Sequence, residues 1–283
     1  MKSKAILILI LRIQQRNNGA EQVRDGEFAM NRALDCSRII TPILIAWFAI
    51  TVLLMPLQAQ MTKRDSGGDT ISPSDLEPVF PAGAVCPEIA SPYGSQTRYD
   101  GSRRPPWQFG GYHGGIDISL DEGTPILALA AGTVVSKGEG GQLEGIYLWL
   151  RHTPEDTGLG YWLYSKYEHL EALPERSIGA QVSAGQVIAR SGKTGTVGGH
   201  YGFAGYPHLH LTARKSAGGE YRKEGAGLPA PDSHLIDPLV VYREAGPKPA
   251  ETERTVAIPY ATADGRLRPQ GTRVVWPVAC RQK

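Results

Sequence analysis

Short apolar segments separated by glycine-rich turns make up the middle of this chain. Each is five to ten residues long, which is the usual length of a β-strand. They are Ile126–Val135, Gly145–Arg151, Tyr161–Tyr167, Gln186–Arg190 and His208–Ala213. No apolar stripe of helical period and twelve or more residues accompanies them, and Glu171–Arg176 is at most a short turn of helix. The pattern predicts an antiparallel β-domain.

A longer apolar run, Ile39–Leu57, precedes that domain and follows Arg32 and Arg38. Basic residues, an apolar stretch and a small residue at Ala59 are typical of a secretory signal peptide. The run is also long enough to cross a bilayer, so an uncleaved anchor is the alternative. We therefore expect export to the periplasm or the cell exterior, with this run as an inner-membrane anchor if it is not cleaved. Because the first residues are of mixed charge, Met30 is a candidate true start.

Composition divides the chain into four parts. We expect a signal peptide or N-terminal anchor over residues 1–59, a flexible linker over 60–77, the β-domain over 78–245 and a C-terminal extension over 246–283. The linker is polar, rich in Gly, Ser and Asp, and has no apolar periodicity. The β-domain closes with the apolar segment His234–Val241, and Val274–Ala279 is a candidate extra strand. We expect the extension to pack back on the domain.

The charge balance argues against a nucleic-acid partner. The chain has 30 Lys and Arg against 28 Asp and Glu, a formal charge of +2. Residues 1–59 contain 7 of the basic and 4 of the acidic residues, which leaves 23 basic and 24 acidic residues in 60–283. A nearly neutral body lacks the basic stripe that nucleic-acid binding requires.

Three cysteines are present, and Cys36 lies in the segment expected to be removed. Cys86 and Cys280 remain as an even pair, which in an oxidising compartment would form one disulfide. Two unpaired buried thiols are the alternative.

Two short motifs carry candidate chemistry. In His208-Leu209-His210-Leu211 the histidines alternate with leucine, and on a strand such residues point to the same face. In His113-Gly114-Gly115-Ile116-Asp117 an imidazole and a carboxylate lie four residues apart. Glycine and β-branched isoleucine favour strand or loop over helix there, so this pair also shares one face. Either motif alone is weak, because structural histidines and chance spacings are common.

Together the two motifs supply one carboxylate oxygen and several imidazole nitrogens. This donor set suits a catalytic zinc with three protein ligands and one open position.

With these residues the sequence resembles the lysostaphin/LytM-type zinc metallopeptidases, which act on peptidoglycan. Their pattern of His-x3-Asp followed much later by His-x-His matches His113, Asp117, His208 and His210. The resemblance extends over about Val85–Tyr242. Further matching segments are Ser91-Pro92-Tyr93-Gly94, Gly123-Thr124-Pro125, Gly132-Thr133-Val134-Val135, Tyr167-Glu168-His169-Leu170 and Gly179–Gln186 leading to Gly192 and Gly195.

The resemblance implies a role for five residues. His113, Asp117 and His210 are expected to bind one Zn²⁺, and His169 and His208 to stand beside the open position as catalytic residues. It leaves open which of the last two is the general base. The implied fold is all-β, one catalytic domain on an antiparallel sheet or half-barrel with long loops, preceded by the N-terminal signal or anchor helix.

The implied function is zinc-dependent hydrolysis of peptide bonds in peptidoglycan stem peptides or cross-bridges. The alternative is a catalytically silent cell-wall binding or regulatory module on the same fold, but such a module should have lost at least one of the five residues. A lipoyl or biotinyl carrier domain is disfavoured, since no lysine stands between two apolar residues at a hairpin tip. The expected partner is a peptidoglycan peptide, and no feature identifies an activator protein.

Two departures from the family pattern stand near the site. The approach to His208 is lengthened by Val197–Tyr206, which makes substrate specificity the least transferable property. Leu211 and Thr212 replace a common aromatic-Glu pair, with little expected effect on metal binding. Trp107, Tyr112, Tyr201 and Tyr206 are candidates to line a substrate groove, whereas His152, His200 and His234 are expected to be ordinary polar histidines.

Overall fold

The computed structural model describes residues 69, 71, 73–196, 205–228, 230, 232–247 and 253–283. They fold mainly as short strands, which confirms the all-β prediction. The strands are β1 (Glu77–Val79), β2 (Ala84–Val85), β3 (Ile89–Ser91), β4 (Ile116–Ser119), β5 (Pro125–Leu127), β6 (Gly132–Glu139), β7 (Ile146–His152), β8 (Trp162–Glu168), β9 (Gln181–Val182), β10 (Val187–Arg190), β11 (His208–Ser216), β12 (His234–Ile236), β13 (Thr255–Ala257), β14 (Tyr260–Ala261), β15 (Leu267–Arg268) and β16 (Arg281–Gln282). The helices are α1 (Pro154–Thr157) and α2 (Pro238–Ala245), with a 3₁₀ turn at Phe109–Gly111.

One antiparallel sheet dominates this fold. Its strand order is β3-β4-β11-β8-β7-β6-β9, and every neighbouring pair in it is antiparallel. The edge of β11 that faces away from β8 is shared, because β4 pairs with its first half and β12 with its second half. β11 is therefore an interior strand over its whole length.

The main core lies against one face of this sheet. Its fully buried side chains include alternate residues of neighbouring strands, such as Ile116, Ile118, Leu209 and Leu211. Burying each side chain of this size stabilises the fold by about 1.5–3 kcal/mol. The core thus fixes which face of β4 and β11 remains for polar residues.

Two short helices were not expected from the apolar pattern. The predicted closing segment His234–Val241 divides into β12 and the start of α2, because Asp237 caps the helix by accepting a hydrogen bond from the Leu239 amide and Pro238 occupies the first turn. The helix α1 begins with a Thr153–Asp156 capping box. Glu171–Arg176 forms no helix.

The predicted strand at Ile126–Val135 is also divided. β5 ends at Leu127 and pairs with β10, while β6 begins at Gly132 and pairs with β7 and β9. A Cβ atom at Gly132 would lie 2.6 Å from the Arg151 carbonyl oxygen, so glycine permits the close approach of β6 and β7 there.

Several of the described residues in the predicted 60–77 linker contact the β-domain. Asp69 forms a 2.8 Å ion pair with Arg214 and accepts a hydrogen bond from the Leu235 amide. Ile71 and Leu76 are buried in the main core. The segment has no apolar periodicity. It is held instead by the contacts of Asp69 and by the burial of Ile71 and Leu76.

The C-terminal segment 253–283 packs on the β-domain. β13 pairs with β1 and β16 with β2, and the Trp276 side chain is fully buried. The candidate strand Val274–Ala279 makes only isolated bridges, Val274 with Ala130 and Val278 with Ile126. These bridges attach the segment to the edge of the core.

A disulfide joins Cys86 to Cys280, 194 residues apart in sequence, as predicted for the even pair. Cys280 is fully buried. The bond closes a loop that contains nearly all of the β-domain.

The described residues all lie within one compact unit, Lys63–Lys283. Among them, no helix is long and apolar enough to span a membrane. The predicted signal or anchor over 1–59 and the candidate start at Met30 lie outside the described residues.

We expect reduction of the Cys86–Cys280 disulfide to lower the free energy of unfolding by about 4–5 kcal/mol, because a cross-link over so long a loop restricts the unfolded chain. Urea denaturation with and without reductant measures this difference. The Cys86→Ser/Cys280→Ser double variant is the control and should not respond to reductant. Equal unfolding midpoints for the oxidised and reduced wild-type protein would contradict the expectation.

Candidate metal centre

The two histidines of β11 project from the sheet face opposite the core. Leu209 and Leu211 are fully buried in the core, so His208 and His210 point to the other side. In the register of the sheet, His210 stands opposite Asp117 of β4. The alternation predicted from sequence therefore brings His210 and Asp117 side by side on neighbouring strands.

His113 reaches the same place from a turn, which corrects the prediction that it shares a strand face with Asp117. β4 begins only at Ile116, and His113 lies after the 3₁₀ turn. The two glycines between them permit close packing. A Cβ atom at Gly115 would lie 2.4 Å from the Leu211 carbonyl oxygen and 2.8 Å from His210 Nε2, and one at Gly114 would lie 2.8 Å from the Phe109 ring.

Three ligand atoms converge at this point. His113 Nε2 lies 3.1 Å from Asp117 Oδ1 and 3.0 Å from His210 Nδ1, and His210 Nδ1 lies 2.8 Å from Asp117 Oδ1. Ligand atoms about 2.0–2.2 Å from a tetrahedral zinc are separated by about 3.3–3.6 Å. The three atoms need to move only slightly apart to admit such an ion.

The outward-facing atoms of each ligand have other partners. His113 Nδ1 donates to the Pro92 carbonyl oxygen at 3.0 Å, and His210 Nε2 donates to Thr212 Oγ1 at 3.1 Å. Asp117 Oδ2 accepts a hydrogen bond of 3.2 Å from Arg104. Each group thus turns a lone pair toward the others, and lone pairs held this close repel unless a cation lies among them. The donor set fits a zinc ion on this ground.

Burial sets the protonation states that metal binding needs. It lowers the pKa of His113 to about 4, so the imidazole is neutral near pH 7. Burial alone would raise the pKa of Asp117, but the imidazoles of His113 and His210 outweigh it and hold this pKa well below the usual range. A neutral imidazole and an ionised carboxylate are the ligand forms that bind zinc.

His169 and His208 stand beside this ligand cluster. Their ring centroids are 4.4 Å apart, and His208 Nε2 lies 3.6 Å from Asp117 Oδ1. His208 Nδ1 donates to the Tyr206 carbonyl oxygen at 2.9 Å and His169 Nδ1 to the Thr194 carbonyl oxygen at 2.8 Å. Both rings therefore carry a lone pair on Nε2. Burial lowers the pKa of both histidines, that of His169 further because His208 is close to it.

The backbone of His169 has a φ of 63°, which is uncommon for a residue with a Cβ atom. It follows directly after β8, and its carbonyl accepts a hydrogen bond from the Gly192 amide. The turn at Gly192–Thr196 thus holds both the backbone and the ring of His169. Strain of this kind is frequent at functional sites.

All five of these side chains line a cleft of about 1230 Å³. Trp107, Tyr112 and Tyr206 also line it, as the sequence suggested, and the Tyr206 ring stacks on His208 with centroids 4.3 Å apart. Trp107 is 68% exposed. Tyr201, His200 and most of the lengthened Val197–Tyr206 approach lie outside the described residues.

His152 and His234, which were expected to be ordinary polar histidines, lie outside the centre. His152 is buried, with Nδ1 at 2.6 Å from the Ala131 carbonyl oxygen and Nε2 at 2.8 Å from Ser165 Oγ. His234 is exposed on β12.

Several residues of the site were not predicted from the sequence. Arg104 contacts Asp117, and Thr212 contacts His210 although its position was expected to matter little. Glu168 and Lys166 lie on β8 beside His210 and also line the cleft. The even spacing of Thr212 from His210 was a signal for that contact, whereas no spacing in the sequence relates Arg104 to Asp117.

Comparisons with known proteins find similar peptidases. The model for peptidase family M23 matches residues 111–223. An uncharacterized metalloprotease of Haemophilus influenzae is 35% identical over 126 residues, which are 43% of this chain and 22% of that protein. The chain thus spans about a fifth of the length of that relative.

Solved structures are similar over about half of the chain. LytU is 28% identical over 52% of this chain and 83% of its own, with a TM-score of 0.36. The catalytic domain of the antimicrobial peptidase lysostaphin from Staphylococcus simulans is 25% identical over 51% of this chain and 89% of its own, with a TM-score of 0.36. A zinc containing peptidase from Vibrio cholerae is 24% identical over 47% of this chain and 34% of its own, with a TM-score of 0.34.

The segment matched by the family model contains the three candidate ligands and the two histidines beside them. The similarity of residues 111–223 to peptidase family M23 therefore covers the whole candidate centre.

Proposed function

We propose that the protein is a zinc-dependent endopeptidase that hydrolyses peptide bonds in the stem peptides or cross-bridges of bacterial peptidoglycan. The observation that carries the proposal is the convergence of His113, Asp117 and His210 beside a second pair of neutral histidines in one open cleft. The peptidase class follows from the family, and the peptidoglycan substrate rests on the resemblance to lysostaphin and its relatives.

His113 Nε2, Asp117 Oδ1 and His210 Nδ1 would hold the zinc ion. When bound, zinc lowers the pKa of a coordinated water toward about 7 and polarises a carbonyl group. Arg104 and the Pro92 carbonyl keep Asp117 and His113 in the orientation that presents these atoms. The protein's contribution is thus a fixed three-ligand set open toward the cleft.

His169 and His208 handle protons. Each holds its Nδ1 proton in a hydrogen bond to a backbone carbonyl, so Nε2 is free to accept a proton from the attacking water. As the C–N bond breaks, the protonated imidazole returns that proton to the leaving amine. The other imidazole, once it is protonated at Nε2, can donate a hydrogen bond to the carbonyl oxygen as negative charge develops there.

We propose further that the protein acts outside the cytoplasm, in the periplasm or the cell exterior. The apolar run Ile39–Leu57 serves as the signal or inner-membrane anchor, and the Cys86–Cys280 bond suits an oxidising compartment.

Incubation of the purified protein with peptidoglycan sacculi should release muropeptides shortened by peptide-bond cleavage. We expect a chelator to abolish this release and added Zn²⁺ to restore it, and mass spectrometry of the products identifies the bond. His169→Ala and His208→Ala should each reduce the rate by about 10²–10⁴-fold, the usual range for a lost acid–base group. Binding to sacculi without cleavage under every zinc-replete condition would instead support the silent cell-wall module.

The ligand assignment makes a separate prediction about metal content. His113→Ala, Asp117→Ala and His210→Ala should each lose most of the bound zinc after dialysis, because each removes one of three protein ligands. His208→Ala should retain it, since its ring stands beside the ligands and not among them. Elemental analysis of the folded variants measures this, and an equal loss from His208→Ala and His210→Ala would show that the wrong histidine is assigned.

A further inference from the structure

A buried carboxylate lies on the side of His210 that faces away from the ligand cluster. Glu168 of β8 stands directly opposite His210 in the sheet register. Its Oε2 atom lies 3.5 Å from His210 Nε2, and only 6% of the residue is exposed. The Lys166 ammonium group contacts the other oxygen of the carboxylate, Oε1, at 2.8 Å.

The imidazole of His210 is therefore held at both nitrogens. Nδ1 faces His113 and Asp117 at 3.0 and 2.8 Å. Nε2 donates a hydrogen bond to Thr212 Oγ1 at 3.1 Å, and the negative charge of Glu168, with Oε2 at 3.5 Å, also favours a proton on this nitrogen. A proton fixed on Nε2 leaves the lone pair on Nδ1, which is the atom in the ligand cluster.

Lys166 holds the other oxygen of the same carboxylate. Its ammonium group lies 2.8 Å from Glu168 Oε1 and 3.2 Å from Glu144 Oε1, and 7% of its side chain is exposed. Burial alone would lower the pKa of Lys166, but the two carboxylates outweigh it and raise this pKa above its ordinary value. The lysine stays charged and aims Glu168 so that Oε2 points to His210.

We propose that Glu168 is a positioning residue for the metal centre, which holds His210 in the tautomer and orientation that present Nδ1 to zinc, and that Lys166 orients Glu168. Glu144 serves as a comparison, because it also carries a negative charge beside Lys166. It can show whether Glu168 acts on His210 or only neutralises the lysine. It pairs with the same ammonium group but is more exposed, with 38% of its side chain accessible, and it makes no contact with His210 among the described residues. The inference rests on the proposed zinc site and not on the proposed substrate.

Zinc affinity of the full chain, measured by competition with a chromophoric chelator and without any substrate, tests the proposal. We expect Glu168→Ala to bind zinc about 10–100-fold more weakly than the wild type, the usual effect of losing an outer partner of a ligand histidine. Glu168→Gln keeps the shape and one acceptor oxygen, so its affinity should lie between the two. Glu144→Gln is the matched control and should stay within about threefold of the wild type.

A second readout separates positioning from folding. In the metal-free protein, ¹⁵N NMR of the histidine rings should show His210 protonated at Nε2 in the wild type and in Glu144→Gln. Glu168→Gln should shift the population toward the Nδ1 proton while its thermal midpoint stays near that of Glu144→Gln.

The outcomes distinguish the two proposals. If the wild type binds no zinc, the proposed function fails. If the wild type binds zinc and Glu168→Gln matches it in both affinity and tautomer, only the positioning role fails. Equal losses of affinity in Glu168→Gln and Glu144→Gln would also overturn it, because they would show a general effect of charge around Lys166.

Discussion

The centre depends on the register of β11 between its two neighbours. That register sets His210 opposite Asp117 on one side and opposite Glu168 on the other. Because successive side chains of a strand alternate between faces, a slip of one residue would turn both histidines of β11 into the core and the leucines into the cleft. The burial of Leu209 and Leu211 therefore holds His210 in place, although neither leucine belongs to the cluster of His113, Asp117 and His210.

Burial has opposite effects on stability and on chemistry at this site. Removing imidazoles and carboxylates from water costs free energy, and the site offsets this only through partners for each group, such as Arg104 for Asp117. The same burial lowers the pKa of His113, His169 and His208. It thereby keeps them neutral, which is the form that binds a metal or accepts a proton. A more exposed site would be less costly to fold but would lose this control.

Sequence alone predicted the central strands of the sheet and the common face of His208 and His210. The alternation in His-Leu-His needed only the period of a strand, and the structure agrees with it. The turn that carries His113 was not predictable in the same way, because its position follows from glycine conformations and from packing on Phe109. Contacts across strands, such as Glu168 with His210, depend on register, which no local pattern in one sequence specifies. The capped helix α2 was missed although its Asp-Pro start was visible.

The C-terminal segment supports the centre from outside the cleft. Its disulfide holds Cys86, and the Trp276 indole donates a hydrogen bond to the Pro87 carbonyl oxygen at the start of the same segment. A few residues further on, the Pro92 carbonyl orients the ring of His113. The orientation of the His113 ring depends on the backbone that accepts the hydrogen bond from its Nδ1 atom. The disulfide and the Trp276 hydrogen bond hold this backbone segment, and they thereby connect the extension to the geometry of the site. The extension therefore belongs to the same folding unit as the cleft, although it lies beyond the segment that the family model matches.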